Sequence, residues 1–424
     1  LCPLAGFAAG DARRPEFAEG TTLLAARESA YQSVRVTRLG APGADEERQL
    51  QVNEAFDSFQ SVWRPRAGPI GTGSYYDVFA LPAWWASGER TSWSVCVLGL
   101  GGGTAWRVLD GTLPAGRRLV TLGVEIDPVV VALARQWMDL ASGPAREVLD
   151  GWDARTALAH TERRFDQIIV DAYANQMEIP AHLCTREFFA LVREHLEPGG
   201  FVTINVGAFD LADPVLERVA AAVCAGFGSS AEALRVPFSR NVVVCARAGA
   251  DLPAADAPEW VPEHAGLVAL ARRLALPVAR RRFEPGARDV PTDDRSDMEL
   301  RQIDSLERAA ALRNEAPAAR IVNAESAVAI PEKDTLETRR VLAEHFARSE
   351  FAAALELARS LAPGRERARA EVLAAYQAGD MHGALRSGVA ALGTYTDDAA
   401  LAWSVGDVAL NLGAVAAARL ATDA

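Results

Sequence analysis

The sequence predicts a mixed α/β protein whose central part is a doubly wound sheet, with a small β-rich module before it and helices after it. Two observations predict the sheet. Short apolar runs recur from about residue 94, and stretches with helical periodicity separate them. Strands buried on both faces read as continuous apolar runs, and the intervening helices cover those faces.

The length of 424 residues, half of them hydrophobic, predicts more than one core. We divide the chain into a tail (1–29), an N-terminal β-rich module (30–92), a Rossmann-like α/β domain (93–296) and an α-helical domain (297–424). The module is predicted from the alternating run YQSVRVTRL at 31–39 and the similar runs after it.

Charge and composition exclude several classes of protein. The net charge of −12 argues against nucleic acid as a partner, because phosphate binding needs clustered Lys and Arg. Five cysteines without a CxxC pair predict a reducing, cytoplasmic setting with no disulfide and no zinc site. The chain begins at Leu1 with LCPLAGFAAG, which leaves open a removed signal or a membrane tether upstream.

The α/β domain is predicted from six apolar runs: SVCVLGL, LVTLGVEI, REVLDGW, FDQIIVDA, GFVTINV and NVVVCAR. Helices are expected at 128–139 and 185–196 between them. The segment 248–296 reads as an irregular closing section with one helix near 263–275.

The last part of the chain carries a weak internal repeat. Segments that begin at Phe346, Tyr376 and Leu410 place alanine at a fixed offset. This pattern is typical of tetratricopeptide-type helical hairpins, and an ordinary alanine-rich bundle is the alternative. Either arrangement predicts a packing surface or a surface for a protein partner.

Residues at four strand ends predict a ligand cleft. Gly99, Gly101 and Gly103 follow the first strand and allow a tight turn and close approach of a ligand. Glu125 follows the second strand, where an acid can accept hydrogen bonds from both ribose hydroxyls. Asp153 and Asp171 follow the next two strands; together these residues predict a site for an adenine nucleoside of the S-adenosylmethionine type, in a domain of the class I methyltransferase type.

The sequence resembles the spermidine synthase family of aminopropyltransferases over about residues 30 to 250. The motifs that carry the resemblance are YQSVRV, LQVNEAFDSFQSV, YYDVFALP, VEIDP, FDQIIVDAY with IPAHLCTREFF, and LEPGGFVTINV. The resemblance implies decarboxylated S-adenosylmethionine as co-substrate, methylthioadenosine as product, a small-molecule amine as acceptor, no metal, and a homodimer.

The resemblance also implies roles for individual residues. Asp171 would accept a proton from the attacking amine, with Tyr76 and Asp77 beside it in the catalytic group. The nucleoside would contact Gln32, Gln60, Gly99, Gly101, Gly103, Glu125, Ile126, Asp153, Ala154 and Asp171. The amine would contact Tyr75, Tyr173, Asn175 and Glu178.

Three positions depart from the family pattern. Gly102 stands where the family commonly has Asp, Tyr75–Asp77 replace a Tyr-His-Glu element, and Ala174 replaces a second catalytic-loop Asp. Each missing carboxylate removes an anchor for a cationic amine. TDD at 292–294 would either supply acid to the cleft or cap the next helix.

These departures leave two alternatives to aminopropyl transfer. The same fold would use S-adenosylmethionine itself, as a methyltransferase or in an internal elimination or cyclisation. The other alternative is a non-catalytic nucleoside-binding scaffold whose helical region recruits a protein partner. Asp171 argues against the scaffold, which would not need a proton acceptor there.

Overall fold

The computed structural model describes residues 21–43, 46–52, 61–71, 74–86, 88, 90–173, 179–236, 239, 241–286, 289–315, 341–342, 345, 351–377 and 380–411. These residues form an N-terminal antiparallel sheet, a larger central sheet covered by helices on both faces, and a helical C-terminal part.

The N-terminal sheet pairs its strands in chain order. It contains β1 (Thr21–Glu28), β2 (Ser33–Leu39), β3 (Glu47–Val52) and β4 (Ser61–Trp63). Strand β1 lies within the predicted tail, so the boundary at residue 29 is wrong. Most of its side chains are exposed, and the apolar alternation that reveals a half-buried strand is therefore missing.

The central sheet has eight strands among the described residues. They are β5 (Ser92–Leu98), β6 (Arg118–Glu125), β7 (Arg146–Asp150), β8 (Phe165–Val170), β9 (Leu196–Gly207), β10 (Ala231–Arg235), β11 (Asn241–Arg247) and β12 (Arg280–Phe283). Their spatial order is β12-β10-β11-β9-β8-β5-β6-β7, with β5 to β9 parallel and the rest antiparallel. This order confirms the predicted Rossmann-like class. The strand order reverses between β5 and β8, and ligands bind at such a switch point.

Helices cover both faces of this sheet. They are α1 (Pro82–Trp85), α2 (Thr104–Thr112), α3 (Pro128–Trp137), α4 (Ala154–His160), α5 (Arg186–Glu194), α6 (Pro214–Phe227) and α7 (Ala265–Leu274). The predicted helices at 128–139, 185–196 and 263–275 correspond to α3, α5 and α7. One apolar core contains α2, α3 and α7, and a second contains α4, α5 and α6, so the sheet is the middle of three layers.

Strand β12 corrects the prediction of an irregular closing section. Its sequence RRRF has the appearance of a solvated loop, yet it pairs with β10. Arg280 forms an ion pair with the buried Glu232 and lies 4.6 Å from the ring centroid of Trp260. Arginine can cover an apolar surface with its stem and stack on an aromatic face, which hides such a strand from hydrophobic patterning.

The C-terminal part is helical as predicted, with α8 (Met298–Glu315), α9 (Phe351–Ser360), α10 (Arg365–Gln377), α11 (Met381–Leu392) and α12 (Ala399–Asn411). Helices α10 to α12 share a small core around Tyr376. Ala354 and Ala384 are fully buried, whereas Ala418 lies outside the described residues. The tetratricopeptide-type assignment stays a prediction. None of the helices in the described ranges combines the length and apolar composition needed to cross a membrane.

Candidate active site

The glycine-rich loop after β5 folds back over the end of β6. Gly99, Gly101 and Gly103 have φ values of +90°, +54° and +83°. The amides of Gly99 and Leu100 both donate to the Val124 carbonyl over 2.9 Å. These left-handed conformations are those that glycine adopts without steric cost. The loop therefore has the predicted tight turn at the switch point of the sheet.

Gly99 also permits a close approach of two strand ends. A Cβ atom on Gly99 would lie 2.3 Å from the carbonyl oxygen of Asp171. The Asp171 amide in turn donates to the Leu98 carbonyl over 2.8 Å. The backbone at residue 171 is thus set by direct contact with the glycine loop.

Replacing Gly99 by alanine is expected to lower the free energy of unfolding by about 2–5 kcal/mol, because left-handed strain adds to overlap with the Asp171 backbone. Gly116→Ala is the matched control: Gly116 has φ +83°, and nothing lies within 4 Å of its Cβ position. This control should lose only about 1–2 kcal/mol. Denaturant unfolding measures both, and equal losses would contradict the close-contact argument.

Glu125 occupies the end of β6 and is 8% exposed. Its carboxylate accepts hydrogen bonds from the Gly101 amide (2.9 Å) and the Asp127 amide (3.1 Å). Burial raises the pKa of Glu125, and these two bonds oppose the rise. The side chain is therefore fixed against the glycine loop, with lone pairs left for hydroxyl donors.

The ends of β6 and β7 combine an acid with two exposed apolar side chains. Ile126 and Trp152 are each 41% exposed. Asp153 follows Trp152 and caps α4 by accepting from the Thr156 amide over 2.9 Å. Ala154, the first residue of that helix, is 7% exposed. Apolar surface beside a carboxylate suits the face and the amino edge of a purine base.

Asp171 follows β8 and is held by two polar side chains. Its Oδ1 accepts from Asn205 Nδ2 over 2.9 Å, and the Tyr75 hydroxyl hydrogen-bonds the same carboxylate. Burial raises the pKa of Asp171 to about 7, with a further rise from the nearby charge of Glu125 and opposition from these two bonds. A carboxyl with a pKa near neutrality is suited to accept a proton at physiological pH.

Asn205 belongs to a short polar chain inside the sheet. Its Oδ1 accepts from Asn241 Nδ2 over 2.8 Å, and the Asn205 carbonyl accepts from the Tyr173 hydroxyl over 2.9 Å. Sequence reasoning missed Asn205. The signal was present, because an asparagine inside the apolar run GFVTINV must find hydrogen-bond partners once it is buried.

The three residues of the YYD element, Tyr75 to Asp77, have different partners. Tyr75 contacts Asp171, and its ring stacks on Tyr76 with centroids 4.3 Å apart. Asp77 is 3% exposed, and its oxygens accept from the backbone amides of Ile70 (2.7 Å) and Gly71 (2.8 Å). Burial raises the pKa of Asp77 to about 7. The structure thus brings Tyr75 to the predicted proton acceptor and gives Asp77 two backbone partners instead.

Gln32 is hydrogen-bonded to Asp127, two residues after Glu125. Its Nε2 donates to Asp127 over 3.3 Å, and Asp127 also accepts from Ser29 over 2.7 Å. Asp127 caps α3, so these bonds attach the N-terminal sheet to the α/β domain. The predicted contacts Gln60, Asn175 and Glu178, together with Ala174, lie outside the described residues.

Gly102 has a structural reason to lack a side chain. A Cβ atom there would lie 2.5 Å from Met138 Sδ and 2.8 Å from Ser61 Cβ. The Gly102 amide donates to Ser61 Oγ over 2.7 Å. The position that commonly carries Asp in the family is therefore filled by β4 and by Met138.

The TDD segment forms an ion pair with α4. Asp293 accepts two hydrogen bonds from the Arg155 guanidinium and one from the Thr185 hydroxyl. Neither Arg155 nor Thr185 is among the predicted site residues. Among the described residues, no group of three or more His, Cys, Asp or Glu side chains is arranged to hold a metal ion.

The sheet order and the acids at successive strand ends are typical of Rossmann-like nucleoside-binding domains. No protein-family model matches the chain. It is 33% identical over 207 residues to a probable polyamine aminopropyl transferase of Bifidobacterium longum, covering 49% of this chain and 40% of that protein. It is 28% identical over 267 residues to polyamine aminopropyltransferase 1 of Streptomyces coelicolor, covering 60% and 47%.

Among solved structures, the chain is similar to a probable spermidine synthase from Corynebacterium glutamicum. The TM-score is 0.48 at 19% identity, over 61% of this chain and 90% of that one. The chain spans less than half the length of the two curated relatives. Their names confirm the resemblance to polyamine aminopropyltransferases that the motifs predicted.

Proposed function

We propose that this protein transfers an aminopropyl group from decarboxylated S-adenosylmethionine to an amine and releases methylthioadenosine. The observation that carries the proposal is Asp171: a carboxyl at the switch point, held by Asn205 and Tyr75, with a pKa raised to about 7. The curated relatives named polyamine aminopropyltransferase support the same reaction class.

The described residues fit an adenine nucleoside. Glu125 would accept hydrogen bonds from the ribose hydroxyls, because its carboxylate is already fixed by two backbone amides. Ile126 and Trp152 would contact the base, and Asp153 would accept from its amino group. The turn at Gly99–Gly103 allows the ligand to approach the backbone closely.

Asp171 would act as general base. An amine is protonated near neutral pH and cannot attack until it gives up a proton, which the Asp171 carboxylate accepts. The amine nitrogen then forms a bond to the carbon next to the sulfonium, and the carbon–sulfur bond breaks to leave the neutral thioether. The protein supplies position and a proton acceptor, because the sulfonium is already an activated leaving group.

The YYD element would act through Tyr75, which we infer to orient Asp171. Tyr76 and Asp77 would instead support the surrounding structure, because both are buried, with 6% and 3% exposure, and the Asp77 oxygens accept from the Ile70 and Gly71 amides. This inference revises the catalytic roles that the resemblance implied for those two residues. Tyr173 would line the acceptor side, next to Gly207.

A second candidate is a reaction of S-adenosylmethionine itself, either methyl transfer or an internal elimination or cyclisation. The packing at Gly102 favours this candidate, because Met138 and Ser61 fill the space in which a carboxylate side chain would bind an aminopropyl ammonium. The sequence at Ala174 removes another acid that the family pattern would provide.

Product analysis tests these candidates. The protein is incubated with decarboxylated S-adenosylmethionine and a panel of amines, then with S-adenosylmethionine alone, and methylthioadenosine is followed by mass spectrometry. Release that requires an added amine supports aminopropyl transfer. Release from S-adenosylmethionine alone supports the internal reaction, and transfer of a methyl group with formation of S-adenosylhomocysteine supports the methyltransferase. Nucleoside binding without any turnover would favour the scaffold.

Replacing Asn205 by leucine is expected to move the acid limb of the pH–rate profile upwards by about one pH unit. Activity requires ionised Asp171, so the rate should rise with pH through its pKa, about 7. Asn205 donates to the ionised carboxylate, and loss of that donor raises the pKa further.

Thr203→Val is the matched control for Asn205→Leu. Thr203 lies two residues away on the same face of β9, where its hydroxyl accepts from Gln167 instead of contacting Asp171. This variant should keep the parent acid limb. The same limb in Asn205→Leu as in the parent would contradict a role for Asn205 in setting the charge of Asp171.

The assembly and the partner of the helical region also remain proposals. We infer a homodimer from the resemblance, and a protein partner at helices α9 to α12 from the repeat pattern. Light scattering of the intact chain measures the first directly.

A further inference from the structure

The closing segment around Asp293 lies against the elements that carry the adenine side of the proposed site. The Thr292 and Arg295 backbones pair in a tight turn, with each amide donating to the other's carbonyl over 2.9 and 3.1 Å. The turn is attached to α5, because the Arg186 amide donates to the Pro291 carbonyl over 2.9 Å. Asp293 therefore reaches α4 from a defined position.

Asp293 and Arg155 make a bidentate ion pair. Arg155 Nη1 and Nη2 donate to the two Asp293 oxygens over 2.7 and 2.6 Å. Thr185 Oγ1 donates to Asp293 Oδ1 over 2.7 Å. Two parallel hydrogen bonds fix the plane of the guanidinium as well as its distance from the carboxylate.

Arg155 connects Asp293 to the proposed adenine site through His182. Its Nη1 also donates to the His182 carbonyl over 3.1 Å, and His182 Nε2 lies 2.9 Å from Asp153 Oδ2. The other Asp153 oxygen is held by Thr156. A continuous series of contacts thus runs from Asp293 through Arg155 and His182 to Asp153.

The ion pair is poorly placed to serve overall stability. Arg155 is in the first turn of α4, where the helix dipole disfavours a positive charge. The two side chains are 25% and 42% exposed, and exposed pairs contribute little to folding. A role in fixing local geometry accounts better for a bidentate pair at this place.

We propose that Asp293 is a positioning residue for nucleoside binding, which holds Asp153 in place through Arg155 and His182. The proposal rests on the proposed function, in which Asp153 meets the base. Asp293 itself touches neither the nucleoside nor the reacting atoms. Its loss should weaken binding of the base and leave the chemical step unchanged.

Asp293→Asn is expected to weaken methylthioadenosine binding about fivefold, measured by calorimetry, with kcat within twofold of the parent. Free adenine should lose affinity by the same factor, because the disturbed group is at the base. Asp294→Asn is the matched control, since it makes the same change in charge one residue away, and no hydrogen bond of the Asp294 side chain is seen within the described ranges. This control should bind like the parent.

Arg155→Met is a second variant that removes the same ion pair, and it keeps the test decisive if Asp293→Asn fails to fold. It should show the same loss of affinity for methylthioadenosine. The double variant Arg155→Met/Asp293→Asn should bind no more weakly than either single variant. Parent-like binding in these variants, additive losses, or a lower kcat with unchanged affinity would overturn the positioning role. Failure of the parent itself to bind methylthioadenosine would overturn the proposed function and this inference with it, so the two failures are distinguishable.

Discussion

Asp171→Asn is expected to lower the rate of amine-dependent methylthioadenosine release by about 10²- to 10⁴-fold, the usual contribution of a general base. Asparagine has the size of aspartate and offers an oxygen to Asn205 Nδ2, so the polar chain in the sheet is preserved. What is lost is the capacity to accept a proton. The residual rate should also lose the acid limb near pH 7.

Two control measurements on Asp171→Asn, thermal unfolding and methylthioadenosine binding, separate loss of the base from loss of the fold or of the nucleoside site. Because the pKa of Asp171 is raised in the folded state, this carboxyl contributes stability at low pH that is lost as the pH rises through about 7. At pH 8 the variant should therefore unfold at the same temperature as the parent or a higher one. It should also bind methylthioadenosine within a few-fold of the parent, and retention of full turnover would refute the proton-acceptor role.

The fold was largely predictable because strands buried on both faces of a parallel sheet are continuous apolar runs in the sequence. Strands β5, β6, β8 and β9 are apolar runs that alternate with helices along the chain. The strands that the sequence does not reveal have little apolar signal: β1 exposes most of its side chains, β10 is the short run AEALR, and β12 is RRRF. Their pairing depends on strands elsewhere in the chain, which local patterning cannot supply.

The candidate site was predictable only to the level of strand ends. Glu125, Asp153 and Asp171 lie where parallel strands finish, and topology alone brings such positions to one edge. Hydrogen-bond partners depend on side-chain directions from distant segments. The bonds from the Ile70 and Gly71 amides to Asp77, and from Asn205 to Asp171, therefore cannot be predicted from the sequence.

The sequence also does not show where neighbouring side chains leave no room for a larger residue. Gly102 reads as the loss of an acid, and the structure adds that Met138 and Ser61 fill the position. Restoring the acid by Gly102→Asp would therefore test sterics as much as substrate recognition. The difference from the family is built into the packing of the N-terminal sheet against the glycine loop.

Glu125→Gln is expected to weaken methylthioadenosine binding by about 30- to 100-fold, because hydrogen bonds to a charged acceptor contribute about 1.5–3 kcal/mol each. The amide of glutamine keeps the shape of the side chain, but it presents a donor where two hydroxyls and two backbone amides require acceptors. Calorimetry at pH 8 measures the loss.

Free adenine separates a ribose contact from a general collapse of the loop. Adenine lacks the two hydroxyls, so Glu125→Gln should bind it within about twofold of the parent, which is opposite to the behaviour expected for Asp293→Asn. Asp150→Asn is the matched control, because Asp150 lies opposite Glu125 on β7 and forms a surface pair with Arg135. Equal losses for adenine and methylthioadenosine in Glu125→Gln would mean that Glu125 supports the glycine loop rather than the sugar, and the ribose assignment would then be wrong.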